Sequence, residues 1–273
     1  MMDQRRVSES REACLDQGLN RSNYLSSRHS LGAVDIVATS PGDAASALCA
    51  FAIRGTPMHV HLVNAYTIAL ASESDDYREC LQEPAVNLPD GKPLAWASKL
   101  FGQNPVARQV RGPQLFLDTF DVGQSAGVKH FLLGSTQDVL LKLQQNLLKR
   151  FPDAQIAGME SPPFRSLTPE EYAAQDARIV NSGAQIVWVG LGTPKQDFEA
   201  RRLVDATGLL AVAVGAAFDF AAGTTREAPS WVQRVGFEWM FRLLSEPRRL
   251  WRRYLVGNFV FVRSVVTEKY IRR

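Results

Sequence analysis

The sequence predicts an α/β protein with a mainly parallel, Rossmann-like sheet, helices on both faces and a basic helical appendage at the C-terminus. Short apolar runs alternate with longer amphipathic segments through most of the 273 residues, which is typical of parallel strands joined by helices. From residue 248 onward the composition changes, and eight basic residues stand against one acid. We therefore divide the chain into a polar, disordered leader (1–31), an α/β core (32–246) and a basic amphipathic tail (247–273).

The leader is charged and Ser-rich, and it has no apolar segment of the kind that a signal peptide needs. In the core, each predicted strand is an apolar run that ends at a polar residue or a turn, and each predicted helix repeats apolar residues at helical spacing. In the first half the ordered chain begins near 32–37, and the predicted elements are a helix over 44–54, a strand over 59–64, a helix over 67–81, a strand over 85–88 and helices over 93–100 and 114–126.

The second half repeats the alternation more regularly, with Ser135 and Thr168 as predicted N-caps. Its elements are a strand over 129–134, a helix over 136–150, a strand over 155–158, a helix over 169–181 and strands over 185–189 and 209–215. Ligands of such sheets bind at the carboxyl ends of the strands. The residues at or just after these ends are Asn64, Asp90, Gly134, Gly192 and Asp219.

A glycine-containing turn follows the strand over 185–189. Gly190 and Gly192 lead into a helix whose first turn carries Pro194, and such a turn presents backbone N–H groups and a positive helix end to an anion. Lys195 and Gln196 add one cationic and one neutral donor. Lys195 stands where the dinucleotide fingerprint needs a third glycine, and no Gly-Lys-Ser/Thr completes a P-loop. The turn therefore predicts either a phosphate cradle or an ordinary tight turn.

Several further side chains have both a functional and a structural interpretation. Asp90, in a Pro-Asp-Gly turn, is a candidate acid/base or a turn former. Asn64 could donate to a sugar or phosphate, or satisfy the following turn, and Thr67 is a ligand candidate or a plain cap. Phe218 could stack on a base while Asp219 binds a ribose, or the two could be a core residue and a helix cap.

The sequence predicts no metal and no cofactor. Cys14, Cys49 and Cys80 are far apart, match no metal spacing and fit a reducing compartment. His59 and His61 face the same side of a strand, but no nearby carboxylate or cysteine completes a metal site. A nucleophile elbow of the hydrolase type is missing, and no run of 18 apolar residues predicts a membrane-spanning helix.

The C-terminal segment alternates basic clusters with Trp251, Tyr254 and leucines at helical spacing. Its formal charge is +7, whereas the whole chain carries only +3. A basic amphipathic helix suits an anionic membrane surface or a pyrophosphate, which we favour over nucleic-acid binding and over a packing helix. The candidate contacts are Arg242, Arg248, Arg249, Arg252 and Arg253.

Taken together and in order, these segments resemble the WecG/TagA/CpsF family, glycosyltransferase family 26, over roughly residues 34–254. The motifs that carry the resemblance are Val63-Asn64-Ala65, Leu88-Pro89-Asp90-Gly91, Val110-Arg111-Gly112, Phe131-Leu132-Leu133-Gly134, Gly190 to Gln196, Gly215 to Asp219 with Gly223, Arg226-Glu227-Ala228-Pro229, and Gly236-Phe237-Glu238-Trp239 with Arg242 and Glu246-Pro247.

The resemblance implies an inverting, metal-independent transfer of N-acetylmannosamine, its uronic acid or a related hexose in surface or exopolysaccharide biosynthesis. The implied donor is a UDP-sugar and the implied acceptor a polyprenyl-diphosphate-linked sugar. The resemblance also implies that the protein is cytoplasmic and binds peripherally to the inner face of the plasma membrane. It implies no nucleic-acid partner, and it is compatible with a homo-oligomer. Asp90 is the implied base, and the implied binding residues are Asn64, Thr67, Arg111, Gly134, Gly190, Gly192, Lys195, Gln196, Phe218, Asp219 and the five arginines.

Three residues depart from the family pattern. Leu62 stands where many members have Thr, Gln109 where Arg is usual, and Asp197 where Glu is common. These departures suggest a divergent, exopolysaccharide-type branch. They also motivate an alternative, a nucleotide-sugar-binding protein of the same pathway without catalysis. An NAD-dependent oxidoreductase is disfavoured by the failed dinucleotide fingerprint.

Overall fold

A computed structural model describes Leu25, residues 27–82 and residues 84–271. The strands are β1 (Arg28–Leu31), β2 (Val34–Val37), β3 (Met58–Val63), β4 (Val86–Pro89), β5 (Lys129–Gly134), β6 (Gln155–Glu160), β7 (Ile186–Gly190) and β8 (Leu210–Ala213). The helices are α1 (Pro41–Arg54), α2 (Ala65–Glu73), α3 (Asp75–Cys80), α4 (Lys92–Leu100), α5 (Gly112–Ala126), α6 (Gln137–Arg150), α7 (Pro169–Asn181), α8 (Lys195–Thr207), α9 (Ala217–Ala221), α10 (Ser230–Val235), α11 (Glu238–Ser245), α12 (Pro247–Trp251) and α13 (Gly257–Ile271). A π-helical turn (Arg252–Val256) joins the last two.

The six strands from β3 to β8 form one sheet in the order β4-β3-β8-β7-β5-β6, and all of its strand pairs are parallel. The predicted α/β class is therefore confirmed. β1 and β2 form a separate antiparallel hairpin. Because all six strands point the same way, the residues that follow β3, β4, β5, β7 and β8 meet at one edge of the sheet.

The two faces of the sheet are covered by different helices, because alternate strand residues point to opposite sides. On one face Trp188 packs edge-on against Phe116 of α5, with ring centroids 4.9 Å apart. That face belongs to the main buried cluster, to which α1, α5 and α6 contribute. On the other face Val187 and Val189 pack with Leu203 of α8. Both faces of the sheet are buried under helices, as the apolar sequence of the strands predicts.

A third buried cluster attaches the C-terminal segment to the core. Phe261 and Val265 of α13 are buried together with Ile68 of α2 and Ile36 of the hairpin. The basic tail is thus docked along α2 over the described residues. Near the N-terminus, β1 occupies residues 28–31, which we assigned to the disordered leader from the sequence, so that boundary needs correction. The rest of the predicted leader, residues 1–24, lies outside the described residues.

Two local predictions need correction. The helix expected over 67–81 is divided into α2 and α3 by Ser74, whose hydroxyl accepts the Tyr77 N–H and caps α3. Thr136, not Ser135, caps α6, and Ser135 instead has a positive φ of 56° in the turn before it. The predicted cap at Thr168 is confirmed, and it forms a reciprocal capping box with Glu171.

Candidate active site

A cleft of about 560 Å³ lies at the carboxyl edge of the sheet, beneath the C-terminal helices. A second, smaller cavity of about 90 Å³ adjoins it and lies under α11 and the π-helical turn. We call them the large and the small compartment. Of the predicted site residues, the cleft brings together Asn64, Asp90, Gly190, Gly192, Gln196, Asp219, Arg242 and Arg253. Asn64, Asp90, Arg242 and Arg253 line both compartments.

Asp90 is held by hydrogen bonds on its backbone and on one carboxylate oxygen. Its N–H donates to the Val63 carbonyl at 2.7 Å, and its own carbonyl accepts from Gln109 Nε2 at 2.8 Å. The Gly112 N–H, at the first position of α5, donates to Asp90 Oδ1 at 2.9 Å. Among the described residues no hydrogen bond reaches Oδ2, so this oxygen is available to a ligand.

The environment of Asp90 acts on its pKa in two directions. Burial raises the pKa, while the Gly112 N–H and the positive charges of Arg111, Arg242 and Arg253 lower it. The net direction is upward. A carboxylate with a raised pKa is a stronger base than an exposed one, and the nearby cations keep it from being neutralised too readily.

Asn64 ends β3 and caps α2. Its Oδ1 accepts the N–H groups of Tyr66 at 3.0 Å and Thr67 at 3.3 Å. The Thr67 hydroxyl accepts the Asn64 N–H in return, and Thr67 is only 1% exposed. Thr67 therefore supports the position of Asn64 and does not line the cleft. No described hydrogen bond uses Asn64 Nδ2, which leaves this donor for a ligand.

The Gly190–Gln196 loop forms the floor on the β7 side. The Gly192 N–H donates to Gln196 Oε1 at 3.0 Å, and Gly192 has a φ of 80° that favours glycine. α8 then begins without a side-chain cap, and the carbonyls of Gly192 and Pro194 accept the N–H groups of Gln196 and Asp197. The positive end of the helix dipole still points to the loop. Lys195 is exposed and lines a neighbouring cavity of about 450 Å³ on the far side of Gly190.

The glycines at the ends of β5 and β7 are required by close packing. A Cβ on Gly134, which has a φ of 132°, would lie 2.5 Å from the Gly190 carbonyl oxygen, and a Cβ on Gly190 would lie 2.7 Å from the Phe218 ring. Phe218 is fully buried and packs 5.6 Å from Phe116 between ring centroids. The prediction that Phe218 stacks on a base is therefore wrong; Asp219, half-buried beside it, does line the cleft.

Arg111 lies outside both compartments. Its guanidinium binds Glu227 at 2.9 Å and Glu238 at 2.7 Å, which ties the start of α5 to the C-terminal helices. These ion pairs give Arg111 an architectural role that the sequence did not suggest. The residues of this segment that contact Asp90 are Gly112 and Gln109, and Gln109 also lines the small compartment.

The C-terminal arginines fall into two groups. Arg242 lies over Phe220, with Cζ 5.5 Å from the ring centroid, and Arg253 lies over Tyr66 at 4.9 Å. Burial lowers the pKa of Arg253, and its buried Nε has no hydrogen-bond partner among the described residues. Arg248 and Arg252 are exposed outside the cleft. The side chain of Arg249 lies outside the described residues.

The predicted histidine pair is hydrogen-bonded internally. His59 Nδ1 lies 2.8 Å from His61 Nε2, and His61 Nδ1 lies 2.9 Å from Asp197 Oδ1. Within the described ranges, no three His, Cys, Asp or Glu side chains are grouped as a metal site. Sequence reasoning missed Tyr66 and the contacts that Gln109 and the Gly112 N–H make with Asp90. Only the Gly112-Pro113 pair carried a local signal, since Pro in the first helical turn marks a helix start.

Residues 29–273 match the model of the glycosyl transferase WecG/TagA/CpsF family. The chain belongs to this family. It is also 31% identical over 188 residues to an N-acetylglucosaminyldiphosphoundecaprenol N-acetyl-beta-D-mannosaminyltransferase from Bacillus spizizenii strain W23. That alignment covers 68% of this chain and 70% of the relative. The protein is therefore a glycosyltransferase, and its cleft is the candidate site of a WecG/TagA/CpsF enzyme.

The cap at Asn64 makes a testable prediction. Asn64→Ala removes the acceptor of two N–H groups and is expected to lower the free energy of unfolding by about 1 kcal/mol. Asn64→Asp keeps an acceptor oxygen and is expected to stay within about 0.5 kcal/mol of the wild type. Urea denaturation measures both. Equal destabilisation by Ala and Asp would contradict the cap, whereas a stable Asp variant isolates the Nδ2 donor for binding studies.

Proposed function

We propose that the protein transfers a sugar from a UDP-sugar to a polyprenyl-diphosphate-linked acceptor, with inversion at the anomeric carbon and without a metal ion. One observation carries the proposal: Asp90 lies where a compartment floored by the Gly190–Gln196 loop meets a compartment roofed by C-terminal arginines. The name of the Bacillus spizizenii relative, with its diphosphoundecaprenol-linked acceptor and mannosaminyl donor group, supports it.

The large compartment suits the donor. Its volume of about 560 Å³ is within the usual range for small-molecule sites. The start of α8, which has no side-chain cap, offers the diphosphate the positive end of the helix dipole, and Arg242 and Arg253 line the same compartment as cations. In our proposal the Asp219 carboxylate, which also lines this compartment, accepts a hydrogen bond from a ribose hydroxyl. Leu62 gives the compartment an apolar wall.

Inversion at the anomeric carbon needs one base. In our mechanism Oδ2 of Asp90 removes the proton of the acceptor hydroxyl as the oxygen attacks the anomeric carbon. The bond from that carbon to the β-phosphate oxygen breaks on the opposite face, and UDP leaves with the electron pair. The helix end, Arg242 and Arg253 stabilise the charge that develops on the diphosphate. Gly112 and Gln109 hold the base in place during the reaction.

The acceptor lipid is expected to enter from the C-terminal helices. Leu255 and Phe259 are 58% and 71% exposed, and Trp251 is exposed beside Arg248 and Arg252. Apolar side chains next to arginines favour the surface of an anionic membrane. No helix in the described part of the chain is both long and apolar enough to cross a bilayer. On the basis of the exposed apolar and basic side chains, we propose peripheral binding at the inner face of the plasma membrane, in surface polysaccharide assembly.

Replacing the base tests the chemistry. Asp90→Asn keeps the side-chain oxygen that accepts the Gly112 N–H but cannot take a proton, so turnover is expected to fall by about 10²–10⁴-fold. UDP affinity is expected to stay within about threefold of the wild type. The assay is a panel of UDP-sugars with a defined polyprenyl-diphosphate sugar, and calorimetry measures UDP binding. Full turnover by Asp90→Asn would contradict the assignment of Asp90 as the base. If the wild type binds UDP but forms no product with any acceptor, the non-catalytic alternative is favoured.

The membrane contact is tested in the full chain. The double variant Leu255→Ser with Phe259→Ser removes two apolar contacts, each worth up to about 1.5–3 kcal/mol when fully buried, so the partition into anionic vesicles is expected to fall at least tenfold. The matched control is Leu141→Ser with Leu148→Ser on α6, which are also exposed leucines. Sedimentation with phosphatidylglycerol vesicles measures the partition. Equal pelleting of both double variants and the wild type would contradict the contact.

A further inference from the structure

A buried chain of hydrogen bonds lies behind the first turn of α8 and outside both compartments. His59 Nδ1 lies 2.8 Å from His61 Nε2, His61 Nδ1 lies 2.9 Å from Asp197 Oδ1, and the Tyr77 hydroxyl donates to Asp197 Oδ2 at 2.8 Å. All four side chains are buried. The proposed mechanism does not use any of them, although Asp197 is the neighbour of Gln196.

Both oxygens of Asp197 have a partner in this chain. His61 Nδ1 lies at Oδ1 and the Tyr77 hydroxyl donates to Oδ2. Burial and the neighbouring His61 lower the pKa of His59 to about 4, so the outer imidazole is neutral at neutral pH. Burial and Asp197 raise the pKa of Tyr77, so its hydroxyl keeps the proton that it donates.

The sheet provides the space for the imidazoles. In the parallel register His59 lies beside Ala211 and His61 beside Ala213 of β8. Two small side chains on the central strand leave room under α8 that larger ones would fill. The connection from His61 to Asp197 therefore passes over β8 and links β3 directly to the helix that follows β7.

This connection joins the two halves of the cleft. β3 leads to Asn64 and pairs with β4, which leads to Asp90. β7 leads to the Gly190–Gln196 loop, and β8 separates it from β3 in the sheet. Since α8 has no side-chain N-cap, Asp197 is the side chain that anchors its first turn to the strands carrying the base. Gln196, the residue before Asp197, accepts the Gly192 N–H through its Oε1.

We propose that His61 and Tyr77 are positioning residues that act through Asp197 to set the distance between the donor-phosphate loop and Asp90. This rests on the proposed function. A small displacement of reacting groups lowers a rate strongly, because the attacking and leaving groups must stay aligned. The arrangement therefore predicts that the loss of these hydrogen bonds weakens donor binding and catalysis, while the acceptor side is left intact.

The test compares Asp197→Asn and Tyr77→Phe with a matched control. Asp197→Asn leaves one acceptor oxygen for two donors, and Tyr77→Phe leaves one carboxylate oxygen unpaired. We expect the KM for the UDP-sugar and the Kd for UDP to rise about tenfold, kcat to fall, and the KM for the lipid-linked acceptor to stay within twofold. The control is His130→Phe, which leaves the Trp188 Nε1–H without its acceptor at 3.0 Å on the opposite face of the sheet.

The control variant is expected to lose stability but to keep both KM values within twofold of the wild type. If Asp197→Asn and Tyr77→Phe raise the Kd for UDP no more than His130→Phe does, the proposal is overturned. Should Asp197→Asn not fold, Tyr77→Phe decides by the same comparison, because it removes one hydrogen bond and no charge. A wild type that binds UDP but transfers no sugar would contradict the proposed function and not the positioning role. The comparison of Kd values for UDP would still test the positioning role.

Discussion

The hydrogen bond from the Gly112 N–H to Asp90 Oδ1 is the constraint on which the site depends. It joins the turn after β4 to the start of α5, and within the described part of the chain Oδ2 keeps no hydrogen bond of its own. The Val63 carbonyl and the Gln109 amide hold the backbone of the same residue. Burial raises the pKa of Asp90 while the Gly112 N–H and three arginines oppose the rise. In the proposed mechanism these opposing influences keep the buried base both strong and ionisable.

The rest of the cleft follows from how closely the strand ends approach. Gly134 and Gly190 lack side chains where β5 meets β7, and Phe218 fills the space beneath them. The loop at Gly192 then lines the cleft, and the main-chain dipoles of the first turn of α8 give this wall a positive end. Donor binding in our account relies on these main-chain groups, whereas the acceptor side relies on long cationic side chains supplied by the docked C-terminal helices.

The alternation of apolar runs and amphipathic helices was enough to predict the fold class and the edge at which Asn64, Asp90 and Gln196 meet. Local sequence patterns could not predict that Phe218 is buried or that Arg111 forms ion pairs outside the cleft. The burial of Phe218 depends on the missing Cβ of Gly190, and Arg111 binds two glutamates that lie more than 100 residues away in the sequence. The His61–Asp197 contact likewise depends on β8 lying between β3 and β7, and strand order is set by long-range packing.

The most direct test of the account is the pH dependence of kcat/KM for the lipid-linked acceptor, measured for the wild type and for Arg242→Met. An exposed Asp titrates near pH 4, and burial moves the pKa of Asp90 upward. The acid limb of the wild-type profile is therefore expected at a higher pH than 4. Removing the Arg242 charge takes away an opposing influence, so the limb should move higher still. An acid limb that stays in the same place in Arg242→Met, or no acid limb at all, would contradict Asp90 as the base.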